Sequence, residues 1–265
     1  MENVFALVKE LLQSENIEYC AAMKISDCKI ISKRRLPENA QSAIVFLMPY
    51  YSGKYPERNI SLYSVPCDYH LYLSYLKDAL SPKLVQLFPQ YRFDFFADTS
   101  PIDEVHASIF SGLGVLGLNR LLINERYGSY VFIGSIITDA VFKDSDYVTS
   151  AQNKKCLSCG ACQKVCSFLS GKTDVCMSEL NQRKIITHDQ LCLVRSKKIR
   201  WGCDDCQTVC PLNKNAKITP IEFFKTNLTP HITPDGINNM TNDEFSKRAY
   251  SWRKKQTILR NISDK

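Results

Sequence analysis

Nine of the twelve cysteines in this chain lie between Cys156 and Cys210, at spacings that are typical of metal binding. The first run has the spacing C-x2-C-x2-C-x3-C and consists of Cys156, Cys159, Cys162 and Cys166. The second has the spacing C-x2-C-x3-C-P and consists of Cys203, Cys206, Cys210 and Pro211. Runs of this kind hold 4Fe-4S clusters, which pass single electrons. The pattern predicts two clusters and a redox role.

The two runs have to be combined, because in two-cluster ferredoxins the fourth cysteine of such a run binds the other cluster. By that rule the first cluster is bound by Cys156, Cys159, Cys162 and Cys210. The second is bound by Cys166, Cys203 and Cys206, and it lacks one thiolate. Cys176 and Cys192 are both available as the missing ligand, and spacing alone does not choose between them.

Zinc is the main alternative, because paired C-x2-C units are also the spacing of zinc ribbons. Four cysteines within residues 156–166 are too many and too close together for one tetrahedral ion, and the Cys210-Pro211 ending matches ferredoxins. We therefore favour iron-sulfur clusters. The remaining cysteines, Cys20, Cys28 and Cys67, lie far from both runs and are predicted to be small buried side chains.

The composition predicts a folded chain with more than one domain around these cysteines. Over 265 residues, 45% are hydrophobic and 23% are charged, which is ordinary globular usage. We predict an α+β protein, in which an N-terminal mixed α/β domain is followed by a ferredoxin-like two-cluster domain. The predicted boundaries are residues 1–145 for the first domain, 146–220 for the cluster domain and 221–265 for a basic helical tail.

Hydrophobic periodicity predicts the individual elements. Helices are expected at residues 2–14, 69–87 and 102–110, strands at 43–48 and 93–97, a hairpin over 120–138 and a polar linker over 143–155. A last helix is expected over residues 242–262, with the basic residues Arg248, Arg253, Lys254, Lys255 and Arg260. We favour a solvated face for these cations over contact with RNA.

Charge and hydropathy limit the possible partners and location. The net charge of +7 suits an anionic partner, although by itself it is weak evidence. The apolar runs are too short to cross a bilayer, and the first residues have helical spacing without the features of a signal peptide. We therefore expect a cytoplasmic protein that does not bind membranes.

The stretch WGCDDCQTVCPLNK at residues 201–214 resembles epoxyqueuosine reductase, a cobalamin-dependent iron-sulfur enzyme of tRNA modification. Similar segments occur upstream: CDYH at residues 67–70, ADTSP at 97–101, GLG at 112–114, LLIN at 121–124 and YGSY at 127–130. The resemblance runs from about residue 43 to residue 261. It indicates a short form of the family, because longer members continue into a C-terminal helical-repeat region.

The resemblance implies that the N-terminal domain binds cobalamin and that an external low-potential donor, such as flavodoxin or ferredoxin, feeds electrons through the clusters to cobalt. The reduced cofactor would remove the epoxide oxygen of epoxyqueuosine in tRNA. The general acid of the family matches Asp98, and the GLG segment implies cofactor contacts from Gly112, Gly114 and Asn119. The segment that begins at Cys176 matches the one whose cysteine closes the second cluster, which leaves Cys192 without a role.

Two features of the sequence favour other interpretations. Ser100 and Pro101 are a helix-start signal with Ser100 as N-cap, so Asp98 could belong only to that turn; we favour the catalytic role. Leu118 stands where the family commonly has lysine, and Ser167 stands where it has proline.

The alternatives are an electron-transfer protein without cobalamin, which the change at Leu118 would fit, and a cobalamin-dependent reductase of a small molecule. We favour the reductase of tRNA, because the resemblance extends through an N-terminal domain that an electron carrier would not need.

Overall fold

The computed structural model describes residues 3–148 and 156–263. The chain divides into two compact units. Unit 1 comprises Met1–Pro49 and His70–Leu157, and unit 2 comprises Tyr50–Tyr69 and Ser158–Lys265. The segment Tyr50–Tyr69 thus interrupts unit 1 in the sequence and belongs with the C-terminal half. Most of the residues that we predicted as separate segments, 146–220 and 221–265, lie together in unit 2.

Unit 1 contains helices and strands in alternation along the chain. Its elements are α1 (Val4–Ser14), β1 (Cys20–Lys24), β2 (Ser42–Pro49), α2 (Tyr69–Leu87), β3 (Phe93–Phe96), α3 (Glu104–Phe110), β4 (Val115–Leu116), β5 (Leu122–Ile123) and β6 (Val131–Thr138). Helix α2 starts at the last residue of the Tyr50–Tyr69 segment. The predicted combination of helices and strands in this part of the chain is confirmed.

The main sheet of unit 1 has four antiparallel strands in the order β1-β2-β6-β3. Strand β2 is apolar along nearly its whole length, and all eight of its residues are buried. On β6, Gly134 lies opposite Phe46, and a Cβ atom at Gly134 would lie 2.3 Å from the Cζ atom of that ring. Glycine at this position therefore makes room for an aromatic ring in the centre of the sheet.

The predicted hairpin over residues 120–138 is wrong. Strand β5 pairs with β4, while β6 pairs with β2 and β3. Residues 124–128 form a local loop closed by the Asn124–Gly128 bridge, and the Asn124 side chain also donates to the carbonyl of Leu113. The long apolar β6 is buried by pairing with distant strands, which local spacing does not reveal.

Helix α3 starts two residues later than predicted. Its N-cap is Asp103, whose side chain accepts a hydrogen bond from the backbone N–H of His106 at 3.0 Å. The expected N-cap, Ser100, is buried instead, and its hydroxyl lies 2.9 Å from the hydroxyl of Ser135 on β6. The loop after β3 is therefore tied to the sheet and not to the helix terminus alone.

Unit 2 is built from short helices around a small apolar core. Its helices are α4 (Ala161–Val165), α5 (Met177–Gln182), α6 (His188–Ser196), α7 (Asp205–Thr208), α8 (Pro234–Asn239), α9 (Asn242–Ser246) and α10 (Lys254–Ile262). Trp201 and Tyr250 are fully buried at the centre of the core and meet edge to face, with ring centroids 6.1 Å apart. Ile60 from the Tyr50–Tyr69 segment completes this core.

The single C-terminal helix predicted over residues 242–262 is broken into α9, which ends at Ser246, and α10, which begins at Lys254 with φ 65°. Several of its cations are bound to backbone carbonyls: Arg248 to Asn227, Lys255 to Met240 and Arg260 to Lys184. Among residues 3–148 and 156–263, no helix combines the length and the apolar character needed to cross a membrane.

Candidate functional site

The segment that carries Cys203 is anchored by a buried amide network within unit 2. The side chain of Asn181 accepts from the backbone N–H of Gly202 at 3.0 Å and donates to its carbonyl at 2.7 Å. Asn261 on α10 donates to the Asn181 carbonyl at 2.6 Å. Gly202 has φ 69°, and a Cβ atom there would lie 2.0 Å from the hydroxyl of Ser61. The residue before Cys203 must therefore be glycine, and the Asn181 side chain holds its backbone at both the N–H and the carbonyl.

Asp204, between the two cysteines of the C-x2-C pair, is buried and ion-paired. One carboxylate oxygen accepts from Arg58 at 2.6 Å and from the backbone N–H of Leu62 at 2.8 Å. The other oxygen is buried without a hydrogen-bond partner among the described residues. Burial raises the pKa of Asp204, and the guanidinium of Arg58 opposes that rise. This ion pair ties the cysteine loop to the Tyr50–Tyr69 segment.

Removing Arg58 would leave the Asp204 carboxylate buried without its cation. We expect Arg58→Met to lower the free energy of unfolding by about 3–5 kcal/mol, the usual cost of breaking a buried ion pair. Denaturant unfolding monitored by circular dichroism measures the change. As a control, Lys225→Met removes one partner of a surface pair with Glu222 and should cost less than about 1 kcal/mol. Equal losses in the two variants would contradict the structural role of Arg58.

Cysteine side chains on or directly beside α4, α5 and α7 lie close together in unit 2. Helix α4 packs against α7, which carries Cys206. Burial, together with the nearby thiols of Cys166, Cys176 and Cys162, raises the pKa of the Cys206 thiol to about 12. Burial also raises the pKa of the Cys203 thiol to about 12, and Cys176 contributes to that shift. The structure therefore brings Cys162, Cys166, Cys176, Cys203 and Cys206 into one neighbourhood.

The other candidate ligands have different surroundings. Cys192 is exposed on α6, and its Sγ atom lies 3.5 Å from Nε2 of His188, one turn earlier on the same helix. Cys159 is exposed, while Cys156 and Cys210 are partly buried. Within the described ranges, no group of three or more His, Cys, Asp or Glu side chains is arranged so that it could hold a metal ion.

Thiols of this kind fit an iron-sulfur cluster chemically. A cluster takes up thiolates, and a buried thiol with a raised pKa gives up its proton when iron supplies the compensating positive charge. The loop before α4 takes left-handed conformations at Ser158 and Gly160, with φ 51° and 72°. Such turns direct successive backbone N–H groups to one side, which suits an anionic cluster.

A cavity of about 600 Å³ opens beside Cys176 in unit 2. It is lined by Cys176, Ser178, Glu179, Gln182, Arg183, Trp252 and Arg253. The guanidinium of Arg253 stacks on the half-exposed ring of Trp252, with 3.8 Å between the guanidinium carbon and the ring centroid. Cys176 is thus close to solvent on one side and to the buried thiols on the other.

In unit 1, Asp98 lies in the loop between β3 and α3 and is exposed. Its backbone has φ 60°, a left-handed conformation that is unfavourable for residues other than glycine, although aspartate and asparagine tolerate it best. The backbone N–H of Asp98 donates to Oε2 of Glu104 at 3.0 Å. Asp98 was predicted from the sequence as a site residue, but Glu104 was not. The only feature that pointed to Glu104 was a carboxylate in the first turn of a predicted helix.

The glycines predicted to contact a cofactor have conformational reasons of their own. Gly112 has φ 74° and follows the end of α3, where its N–H and that of Leu113 bond to carbonyls of the last turn. A Cβ atom at Gly114 would lie 2.6 Å from the carbonyl oxygen of Ile123. Both glycines are therefore required by the local backbone.

Asn119 is a better indication of a ligand site. It is buried, its carbonyl oxygen accepts from the N–H of Leu121, and its amide nitrogen has no hydrogen-bond partner among the described residues. The neighbouring side chains of Leu116 and Leu118 are half-exposed. An unpaired donor beside exposed apolar side chains fits a large cofactor that offers amide or phosphate oxygens and an apolar surface, as cobalamin does.

The chain is similar in sequence to epoxyqueuosine reductases. No protein-family model matches it. It is 32% identical to an epoxyqueuosine reductase of Listeria monocytogenes over 209 residues, which are 73% of this chain and 53% of the relative. It is 28% identical to an epoxyqueuosine reductase of Bacillus anthracis, over 96% of this chain and 71% of the relative. The chain thus spans about half the length of the first relative.

A solved structure has the same fold. It is an epoxyqueuosine reductase with an epoxyqueuosine-modified tRNA stem loop, and it matches 98% of this chain and 80% of its own with a TM-score of 0.77. The sequence identity in this comparison is 21%. The likeness therefore shows the fold, a mixed α/β architecture.

Proposed function

This chain belongs to the epoxyqueuosine reductase family, and we propose from that premise that it is an oxidoreductase that converts epoxyqueuosine to queuosine in tRNA. The observation that carries the proposal is the gathering of thiols around Cys206, which suits a relay of electrons. The reaction removes the epoxide oxygen as water and leaves a carbon-carbon double bond. It consumes two electrons and two protons, so it needs both a redox relay and a proton donor.

For the relay we propose two 4Fe-4S clusters. The first would be bound by Cys156, Cys159, Cys162 and Cys210, and the second by Cys166, Cys176, Cys203 and Cys206. The proximity of Cys176 to Cys203 and Cys206 supports Cys176 as the ligand that spacing left open. The cluster domain would then be of the ferredoxin-like, two-cluster type.

For the reducing centre we propose cobalamin, which when bound supplies a strongly reducing cobalt ion. Asn119, with its unpaired amide nitrogen, would bind the cofactor, and the loop from Gly112 to Gly114 would shape the surface against which it lies. Leu118 would contribute apolar contact at the position where the family commonly has a lysine.

For the proton donor we propose Asp98. Its carboxyl would protonate the departing oxygen, which positioned acids commonly do in such reactions. Exposure in the free protein suits a group that must reach a bound substrate. The anionic substrate would be tRNA, and an external low-potential protein such as flavodoxin or ferredoxin would supply electrons.

The test combines cofactor binding with turnover. The protein with reconstituted clusters is titrated anaerobically with cobalamin, and the corrin absorption bands are followed. It is then incubated with reductant and an epoxyqueuosine-containing tRNA stem loop, and the nucleosides are analysed by mass spectrometry. Saturable binding near one cobalamin per chain and formation of queuosine are the expected results. Bound cobalamin without conversion would contradict the proposed substrate.

An electron-transfer protein without cobalamin is the second candidate, favoured by one observation. Leu118 is half-exposed and uncharged, so it cannot pair with a cofactor phosphate as a lysine would. The same titration separates the two candidates: intact clusters with no change in the corrin bands would support the electron carrier.

A further inference from the structure

Glu104 is connected to the Asp98 loop by direct hydrogen bonds. Oε2 of Glu104 accepts from the backbone N–H of Asp98 at 3.0 Å, and Oε1 accepts from the hydroxyl of Ser135 at 3.1 Å. That hydroxyl lies 2.9 Å from the hydroxyl of Ser100, and both serines are buried. One carboxylate therefore ties the loop of Asp98 to the central strand β6.

The loop needs such a tie because its backbone is strained. A left-handed conformation is unfavourable at a residue other than glycine, and it persists where the surroundings hold it. Thr99 lies in the same tight turn, and its carbonyl accepts from the guanidinium of Arg35 at 3.2 Å. Glu104 contacts Asp98 directly, at the backbone amide, and the orientation of that backbone sets the direction of the Asp98 side chain.

We propose that Glu104 is a positioning residue for Asp98: by holding the Asp98 amide against β6, it sets the direction in which the Asp98 carboxyl is presented to the substrate. The inference rests on the proposed function of Asp98 as proton donor. It goes further by giving Glu104 a role in the reaction, and that role requires no contact between Glu104 and the substrate.

The ionisation of Glu104 gives this tie a pH dependence. Burial raises the pKa of Glu104 to about 7, and the charges of Asp98 and Asp103 also raise it, while its hydrogen bonds to Asp98 and Ser135 oppose the shift. Lys29 pairs with Asp103 at 2.9 Å. The ionised carboxylate makes charge-assisted, stronger hydrogen bonds. The hydrogen bond from the Asp98 N–H to Glu104 should therefore become stronger as the pH rises through about 7.

A helix N-terminus is a common place for a carboxylate, and dipole stabilisation could by itself explain a glutamate there. That explanation requires no contact with Asp98, and it predicts a glutamate side chain that is exposed to solvent. Here the side chain is half-buried, and both carboxylate oxygens accept hydrogen bonds from groups outside the helix. The positioning role accounts for these contacts, and the two explanations predict different kinetics.

The test uses two variants in the full chain with its clusters and cobalamin. Glu104→Gln keeps an acceptor for the Asp98 N–H and a donor for Ser135 but cannot ionise, whereas Glu104→Ala removes both hydrogen bonds. We expect the alanine variant to lose about 10- to 100-fold in kcat with KM unchanged, and the glutamine variant to recover most of that loss. The inflection near pH 7 in the kcat profile should disappear in Glu104→Gln. Glu10→Gln on α1 is the control and should behave as the parent protein.

A second readout is independent of turnover. The chemical shift of the Asp98 amide should titrate with a midpoint near pH 7 in the parent protein and lose that transition in Glu104→Gln. If the parent protein does not convert epoxyqueuosine, the proposed function fails. The titration still shows whether ionisation of Glu104 acts on the Asp98 amide. Unchanged kcat in a folded Glu104→Ala variant would overturn the positioning role. So would a transition of the Asp98 amide chemical shift near pH 7 that persists in Glu104→Gln.

Discussion

Replacement of Cys176 by alanine is expected to remove one of the two clusters and to abolish turnover. The thiol of Cys176, the residue before α5, lies near those of Cys203 and Cys206, and α5 itself contains no cysteine that could replace it. A 4Fe-4S cluster that loses one of its four thiolates is poorly retained. The iron content should therefore fall from about eight to about four atoms per chain. Iron analysis and the visible absorption of the anaerobically reconstituted protein measure this loss.

Cys192→Ala is the matched control, because Cys192 is the other cysteine that spacing left available. It is exposed on α6 beside His188, so its removal should change neither iron content nor turnover. The opposite pattern, with iron lost from Cys192→Ala and retained in Cys176→Ala, would show that the assignment of the fourth ligand is wrong. Loss of all iron from Cys176→Ala would mean that the two clusters depend on each other for assembly.

Local features of the fold were predictable where the sequence carried a strong and uninterrupted pattern. Helix α2 was predicted with its observed bounds, since its apolar residues recur at helical spacing over nineteen residues. Strand β2 was predicted to within a residue at each end, because it is almost wholly apolar. Strand β1 was missed: it is short, and the alanines at its centre have low strand propensity. It forms because β2 offers it a partner.

Features that depend on distant residues could not be predicted in the same way. The pairing of β6 with β2 and β3 joins strands separated by many residues, and the sequence suggested a local hairpin instead. The C-terminal helix was predicted as continuous because its break at Lys254 has no proline or glycine to mark it. The assignment of Tyr50–Tyr69 to unit 2 depends on contacts such as the Arg58–Asp204 pair, which no spacing rule indicates.

For the candidate site, the sequence supplied the chemical groups but not their surroundings. Cysteine spacing predicted the thiols. The structure adds that Cys176 lies near Cys203 and Cys206, whereas Cys192 is exposed on α6. The prediction of Ser100 as a helix N-cap obscured the contacts of the Asp98 loop. Because a carboxylate at a helix start has an ordinary explanation, the link from Glu104 to Asp98 became visible only through their hydrogen bond.

Substitution of Asp98 by asparagine is expected to reduce kcat by about 10²- to 10⁴-fold, the usual contribution of a positioned acid. Asparagine is the informative replacement, because it tolerates the left-handed conformation at φ 60° as well as aspartate does and keeps nearly the same shape. The turn should therefore survive while the transferable proton is lost. Single-turnover conversion of the modified tRNA stem loop, with cobalamin binding measured in parallel, gives the effect.

Asp94→Asn on β3 provides the matched control, since it makes the same chemical change four residues earlier in the chain. It should leave kcat, iron content and cobalamin binding unchanged. If Asp98→Asn retains the parent kcat, the aspartate serves only the turn and the proton must come from another group. If Asp98→Asn loses cobalamin as well as activity, Asp98 supports the cofactor and not the proton transfer. Only a loss of kcat with the clusters and cobalamin in place identifies the general acid, because no other role of Asp98 depends on the proton alone.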